Sequence, residues 1–141
     1  MPKICNQYDM KKVFFLLIAV LLVASCNDKE PFDVRAAQRQ LTGKWECTEE
    51  DSGKSYEVTL SPEGVMDMVF KNLCEISENE IVVAKLLDET SLFIPPQTGE
   101  TFSIEGNGTI SNEYKKMILE LSFNDGSGAK KIMATCNKIT Q

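Results

Sequence analysis

The chain has 141 residues, with 15 Lys+Arg against 21 Asp+Glu, no histidine, five cysteines and 43% hydrophobic residues. That length holds one ordinary domain, and the missing histidine removes Ser-His and Cys-His nucleophilic pairs, imidazole bases and every histidine-built zinc or copper site. A net charge of −6 argues against nucleic acid, which needs a basic face to displace counterions, and no Gly-rich phosphate loop or dinucleotide fingerprint occurs.

Lys11-Lys12 precedes residues 13–24 (VFFLLIAVLLVA), an apolar run without a charge. A transmembrane helix needs about 20 residues, so this run is too short to span and has the form of a secretory signal peptide. Met10 gives such a peptide a more ordinary start than Met1. The run ends in Val23-Ala24-Ser25-Cys26, which resembles the bacterial lipobox. That resemblance implies that residues 1–25 are cleaved away, that the Cys26 thiol carries a diacylglycerol and that its new amine is acylated. Several acyl chains hold a membrane firmly where one binds marginally. The alternative is an ordinary secreted protein in which Cys26 is incidental.

Lys3, Lys11, Lys12 and Asp9 lie upstream of Cys26, which leaves 12 Lys+Arg against 20 Asp+Glu beyond it. Residues 26–40 are expected to form the lipidated N-terminus and a tether that opens with Asn27-Asp28-Lys29-Glu30-Pro31. The acidic stretch resembles surface-export signals of some Gram-negative gut anaerobes. The expected location is the cell envelope, anchored at the outer membrane, on its periplasmic face or at the cell surface.

Residues 32–40 (FDVRAAQRQ) have the length of about two turns of helix. From Leu41 the period becomes two, the spacing of half-buried strands. Trp45 and Cys47 alternate with polar neighbours, as do Tyr56, Val58 and Leu60, and then Met117, Leu119, Leu121 and Phe123. Looser versions occur at residues 65–72, 81–86, 92–94, 102–104 (running on to 110) and 131–137. Turn residues separate them at 51–53, 61–64, Pro95-Pro96, Gly106-Asn107-Gly108 and 124–128. The glycines at 106 and 108 indicate a bulge or bend. Residues 41–141 are therefore expected to be all-β, a small antiparallel up-and-down meander barrel of about eight strands, closed to remove its open edges.

Cys47 lies in the first strand and Cys136 in the last, both on the inward parity. First and last strands are neighbours in a closed meander, so Cys47–Cys136 is the preferred bridge in an oxidising compartment. The alternatives are three buried thiols or a bridge through Cys74, which otherwise remains the odd thiol in a turn.

Gly43-Lys44-Trp45 after a short helical lead-in resembles the Gly-x-Trp signature of lipocalins. In order, residues 41–45, 56–61, 92–98 (LFIPPQT), 104–110 (IEGNGTI), 117–123 and 133–138 (MATCNK) resemble small lipocalin-like lipoproteins of Gram-negative gut anaerobes. The likeness covers about a hundred residues. It implies that Gly43 and Trp45 plug one end of the barrel, and that interior side chains line any ligand site: Tyr56, Met66, Met68, Phe70, Met117 and Leu119. Lipocalins place a last-strand arginine over the tryptophan. Here the arginines are Arg35 and Arg39, both before the barrel, so Lys130, Lys131 or Lys138 has to take that part. An eight-stranded barrel is either filled by its own side chains or holds one small ligand, and both remain open.

Glu49-Glu50-Asp51 and Asp88-Glu89 are the densest carboxylate clusters, but adjacent acids in hairpin tips lack the separation and contrasting environments of a catalytic pair. They read as solvated turns, without a metal or cofactor. No enzymatic activity is expected. Three classes of role survive: a barrel that binds a small apolar or glycan ligand, an inhibitor of a host or competitor hydrolase, and an accessory subunit docked on an outer-membrane complex. Trp45-Glu46-Cys47, Ser52-Gly53-Lys54-Ser55-Tyr56 and Cys136 resemble parts of bacterial lysozyme inhibitors, whose second loop motif is missing here.

Overall fold

Period-two alternation carries the chain around a closed barrel. The computed structural model describes residues 31–140. The expected signal peptide, the lipid site at Cys26 and the first residues of the expected tether lie outside those residues; residues 34–40 of that tether are helical, with Ala37 and Gln38 buried, and so belong to the folded domain. Helix α1 (Val34–Leu41) leads into β1 (Gly43–Glu49), β2 (Ser55–Glu63), β3 (Asp67–Lys71), β4 (Ile81–Leu86), β5 (Ser91–Thr98), β6 (Ser103–Ser111), β7 (Lys116–Asn124) and β8 (Ala129–Lys138), with a 3-10 turn at Leu73–Glu75. Each strand pairs antiparallel with the next and β8 returns to β1. The expected all-β up-and-down barrel of eight strands is the fold observed.

The helix is capped at both ends by side chains. Asp33 Oδ1 accepts from the Ala36 N–H at 3.0 Å, the usual N-cap bond. Carbonyls of the last turn, which a helix leaves without internal partners, find donors nearby. The Trp45 indole N–H donates to Leu41 O at 2.9 Å, the Thr42 hydroxyl donates to Gln38 O at 2.6 Å, and the Lys138 ammonium donates to Gln40 O. Buried Gln38 donates to Asp67 O at 3.0 Å, fastening α1 to the start of β3. Ala37 and Leu41 join the hydrophobic core. The α1 end of the barrel also carries the β2–β3, β4–β5 and β6–β7 turns, and the other four connections lie at the far end.

The interior is one continuous cluster of buried side chains, with Trp45, Val58, Leu60, Met68, Phe70 and Leu119 fully enclosed. A Cβ added at Gly108 would lie 2.8 Å from the Leu92 side chain and 2.9 Å from that of Leu119. At that level the barrel lacks room for a methyl group. Leu92 and Leu119 fill it there.

Four expectations change. Met66 lies in the β2–β3 turn and is exposed, because β3 begins only at Asp67 and the period-two row from Phe70 and Met68 stops there. Met66 therefore leaves the set of interior residues. β2 continues through Pro62 to Glu63, beyond the last β1 pair at Gly43↔Leu60, where one edge of the strand is free to accept a proline. Pro95-Pro96 is part of β5 rather than a turn, and its register with β6 shifts between Ile94 and Gln97. The irregularity expected at Gly106 and Gly108 thus falls in the facing strand, and β6 itself runs in unbroken register along β7.

The seam between β4 and β5 is the weakest. Its strand pairs are Lys85↔Phe93 and Leu86↔Leu92. Past them a side chain takes over the role of a backbone: Gln97 Oε1 accepts from Val83 N–H at 2.9 Å and Gln97 Nε2 donates to Val83 O at 2.8 Å. At the opposite seam, Cys47 and Cys136 are direct partners across β1 and β8, 4.0 Å apart at Cα, and form the expected disulfide. Among the described residues, Cys74 is the free cysteine.

Candidate functional site

Alternation that turns Leu92 and Ile94 inward turns Phe93 outward. The register then sets Phe93 beside Asn107, Asn107 beside Glu120 and Glu120 beside Met133, one row across four strands. The next outward row runs from Glu105 to Ser122 to Lys131. Together these side chains bound an open groove of about 460 Å3 on the outer wall, with Asp51 of the β1–β2 turn at its rim. A Cβ on Gly106 would stand 2.2 Å from the Glu120 carbonyl oxygen. Glycine therefore lets β6 press onto β7 in the groove floor.

The groove combines one aromatic face with many hydrogen-bonding groups. Phe93 is 37% exposed. Around it stand the acceptors of Asp51, Glu105, Glu120 and Asn107, and a single cation, Lys131. Three carboxylates against one ammonium favour a neutral or amine-bearing ligand over an anionic one. Phe93, Glu105 and Asn107 fall in segments that the resemblance marks and Asp51 in an acidic turn, but no sequence motif joins these residues into one set. The signal available was Phe93, a large aromatic at an outward position between two inward ones.

At the far end, a second cavity of about 310 Å3 lies between the β1–β2 turn, Cys74 and the β7–β8 hairpin. Lys54 Nζ and Glu75 pair across it at 2.6 Å. Tyr56 is buried below, and its hydroxyl meets no partner in hydrogen-bond geometry although Cys74 lies beside it. Burial pushes the phenol well above its ordinary value and the Cys74 thiol up to about 12. Both are neutral near pH 7, so neither serves as a ready nucleophile or base. The Ser52-Gly53-Lys54-Ser55-Tyr56 segment thus presents its tyrosine inward and holds its lysine in an ion pair.

Other residues singled out by sequence fall into structural places. Trp45 closes the α1 end, directly paired with Lys138, while Lys130 and Lys131 lie at the far end. Gly43 takes a φ of +137° where the chain leaves the helix, and the Lys138 side chain crosses 3.6 Å from where its Cβ would be. Met68, Phe70, Met117 and Leu119 are core, and Tyr56 lies at the mouth. The Asp88 carboxylate accepts from Thr90 N–H at 2.8 Å and from its hydroxyl at 2.9 Å. These bonds hold its carboxyl below the usual range and mark it as a turn former.

Residues 10–27 match the prokaryotic membrane lipoprotein lipid attachment site. The match includes Cys26 and supports a lipid anchor in a membrane. The barrel is similar to a redesigned β-barrel of known structure, with 16% identity, a TM-score of 0.49, and coverage of 78% of this chain and 100% of that one. No curated protein sequence matches the chain.

Proposed function

We propose that this chain is a non-catalytic envelope lipoprotein, anchored at the outer membrane, whose lipocalin-like barrel binds a short glycan on its outer wall. The groove around Phe93 carries the reading. An exposed phenyl ring offers a platform to the C–H face of a sugar, and Asp51, Glu105, Asn107 and Glu120 are spaced to accept hydrogen bonds from its hydroxyls. Its volume falls in the range of small-ligand sites, about 300–1,000 Å3. A packed interior moves recognition from the inside of the barrel to its surface.

The non-catalytic part of the reading draws on the histidine-free composition and on the neutral state of Tyr56 and Cys74. The lipocalin-like part draws on the Gly-x-Trp lead into β1 and on Lys138 standing beside Trp45 where lipocalins use arginine.

Calorimetric titration of the lipidated protein with cellotetraose and chitosan tetrasaccharide tests the proposal. Binding should weaken at least tenfold in Phe93→Ala and in Glu120→Gln. Trp45 emission should stay unchanged, because the indole sits inside the barrel at the α1 end. Failure of both saccharides to bind, or full affinity in Phe93→Ala, would remove the groove from the account.

A further inference from the structure

The α1 end of the barrel carries apolar side chains that the core does not use. Val65 is 72% exposed, Met66 45% and Leu87 57%. Leu86 N–H donates to Met66 O at 2.9 Å, so the β2–β3 and β4–β5 turns lie side by side and the three side chains form one patch. Turn tips ordinarily take Gly, Asn, Asp or Ser for backbone reasons. Apolar residues clustered there, with polar residues around them, mark a surface that meets something apolar.

Two features of the same end say what that is. The barrel domain is entered from this end, with Phe32 packed on the core and Gln38 bound to Asp67 beside the β2–β3 turn. From Cys26 to Phe32 is six residues, a reach of at most about 20 Å. A chain lipidated at Cys26 therefore keeps this end within one short tether of the head groups, at a high effective concentration. Charge is also divided between the ends. Arg35 and Arg39, the only arginines in the chain, lie exposed one turn apart on α1, and Lys115 lies in the β6–β7 turn. Against these three cations stand five carboxylates, Asp33, Glu63, Asp88, Glu89 and Glu113. The turns of the far end hold Glu50, Asp51, Glu75, Glu78, Glu80, Glu100 and Asp125 against Lys54, with Lys130 and Lys131 in the adjoining strand. An anionic lipid surface would repel the far end more strongly than the α1 end.

We propose that Val65, Met66 and Leu87 form a lipid-facing patch that lays the α1 end of the barrel on the leaflet holding the Cys26 acyl chains. The patch rests on lipidation at Cys26 and adds an orientation that lipidation alone does not impose. The acyl chains give residence, and the patch fixes which face of the domain meets solvent.

Methionine oxidation reads this directly. The lipidated protein is placed in phosphatidylethanolamine–phosphatidylglycerol vesicles and treated with hydrogen peroxide. The rate of sulfoxide formation at Met66 is measured by peptide mass spectrometry relative to Met133, which lies on the outer wall. We expect the Met66:Met133 ratio to be at least fivefold lower in the native chain than in the Val65→Glu/Leu87→Glu variant, with both proteins floating with the vesicles and sharing one Trp45 emission spectrum. Equal ratios in two proteins that both float would overturn the patch and leave the anchor standing. A native chain that does not float would overturn the anchor first. Protection that disappears as protein is diluted in the bilayer would show a second copy on this face instead, and would also overturn the proposal.

Discussion

Gln97→Met removes the side-chain bridge from the loosest seam of the barrel at nearly constant volume. Two hydrogen bonds to Val83 and a third from Nε2 to Pro95 O at 3.1 Å are lost, at a place where β4 and β5 have already stopped pairing. A typical hydrogen bond contributes about 1 kcal/mol net, and a buried group left without a partner costs ~1–3 kcal/mol. Val83 is half-buried, so water recovers part of this and the expected loss is about 2–3 kcal/mol, or about 10–15 °C in Tm for a domain of this size. Urea denaturation should show a lower midpoint at unchanged m, and exchange of the Val83 amide should accelerate selectively. Gln97→Glu adds a sign test. Its carboxylate still accepts from Val83 N–H but faces the Val83 and Pro95 carbonyls, so the folded state raises its pKa above the ordinary value of about 4.3. The folded protein then binds more protons than the unfolded chain. Stability therefore falls as pH rises through the raised pKa, and is recovered as pH drops back toward about 4.3. A Met variant within 0.5 kcal/mol of wild type (roughly the size of a neutral surface substitution), with Val83 exchange unchanged, would refute the bridge.

Other consequences follow from the same geometry. Loss of the Cys47–Cys136 disulfide, which spans a sequence separation of 89, should cost about 4–5 kcal/mol by chain entropy; a change under about 1 kcal/mol in the Cys47→Ala/Cys136→Ala protein would mean that the β1–β8 ladder holds the closure alone. Cys74, half-buried with its thiol pushed up to about 12, should react with iodoacetamide at pH 8 about a thousandfold more slowly than glutathione, rising tenfold per pH unit. A rate plateau near pH 9 would contradict that burial. Gly108→Ala should cost about 1–3 kcal/mol by overpacking against Leu92 and Leu119, whereas a neutral substitution would reveal slack inside the barrel.

Strands with strict alternation were legible from sequence because a half-buried strand must repeat every two residues. Tyr56, Val58 and Leu60 follow that rule, and so do Met117 through Phe123. The disulfide was legible for a topological reason, since closure makes the first and last strands neighbours. Pro95-Pro96 misled because proline chemistry is local, whereas pairing with β6 is tertiary and tolerates prolines once β4 has diverged. Met66 misled by extending a real alternation one residue beyond the start of its strand. The outer groove was not legible, because alternation tells which face Phe93 occupies and not that Asn107, Glu120 and Met133 stand beside it. Register across four strands, together with the close approach at Gly106, creates the concavity.

The place where a ligand touches the barrel decides between the outer groove and the interior. Amide and methyl chemical shifts of isotope-labelled protein, followed during titration with cellotetraose or chitosan tetrasaccharide, map that contact residue by residue. A ligand in the outer groove shifts Phe93, Glu105, Asn107, Glu120, Lys131 and Met133 and leaves the interior signals of Val58, Phe70 and Leu119 unmoved. Shifts concentrated on those interior residues would contradict the groove and return the ligand to the inside of the barrel.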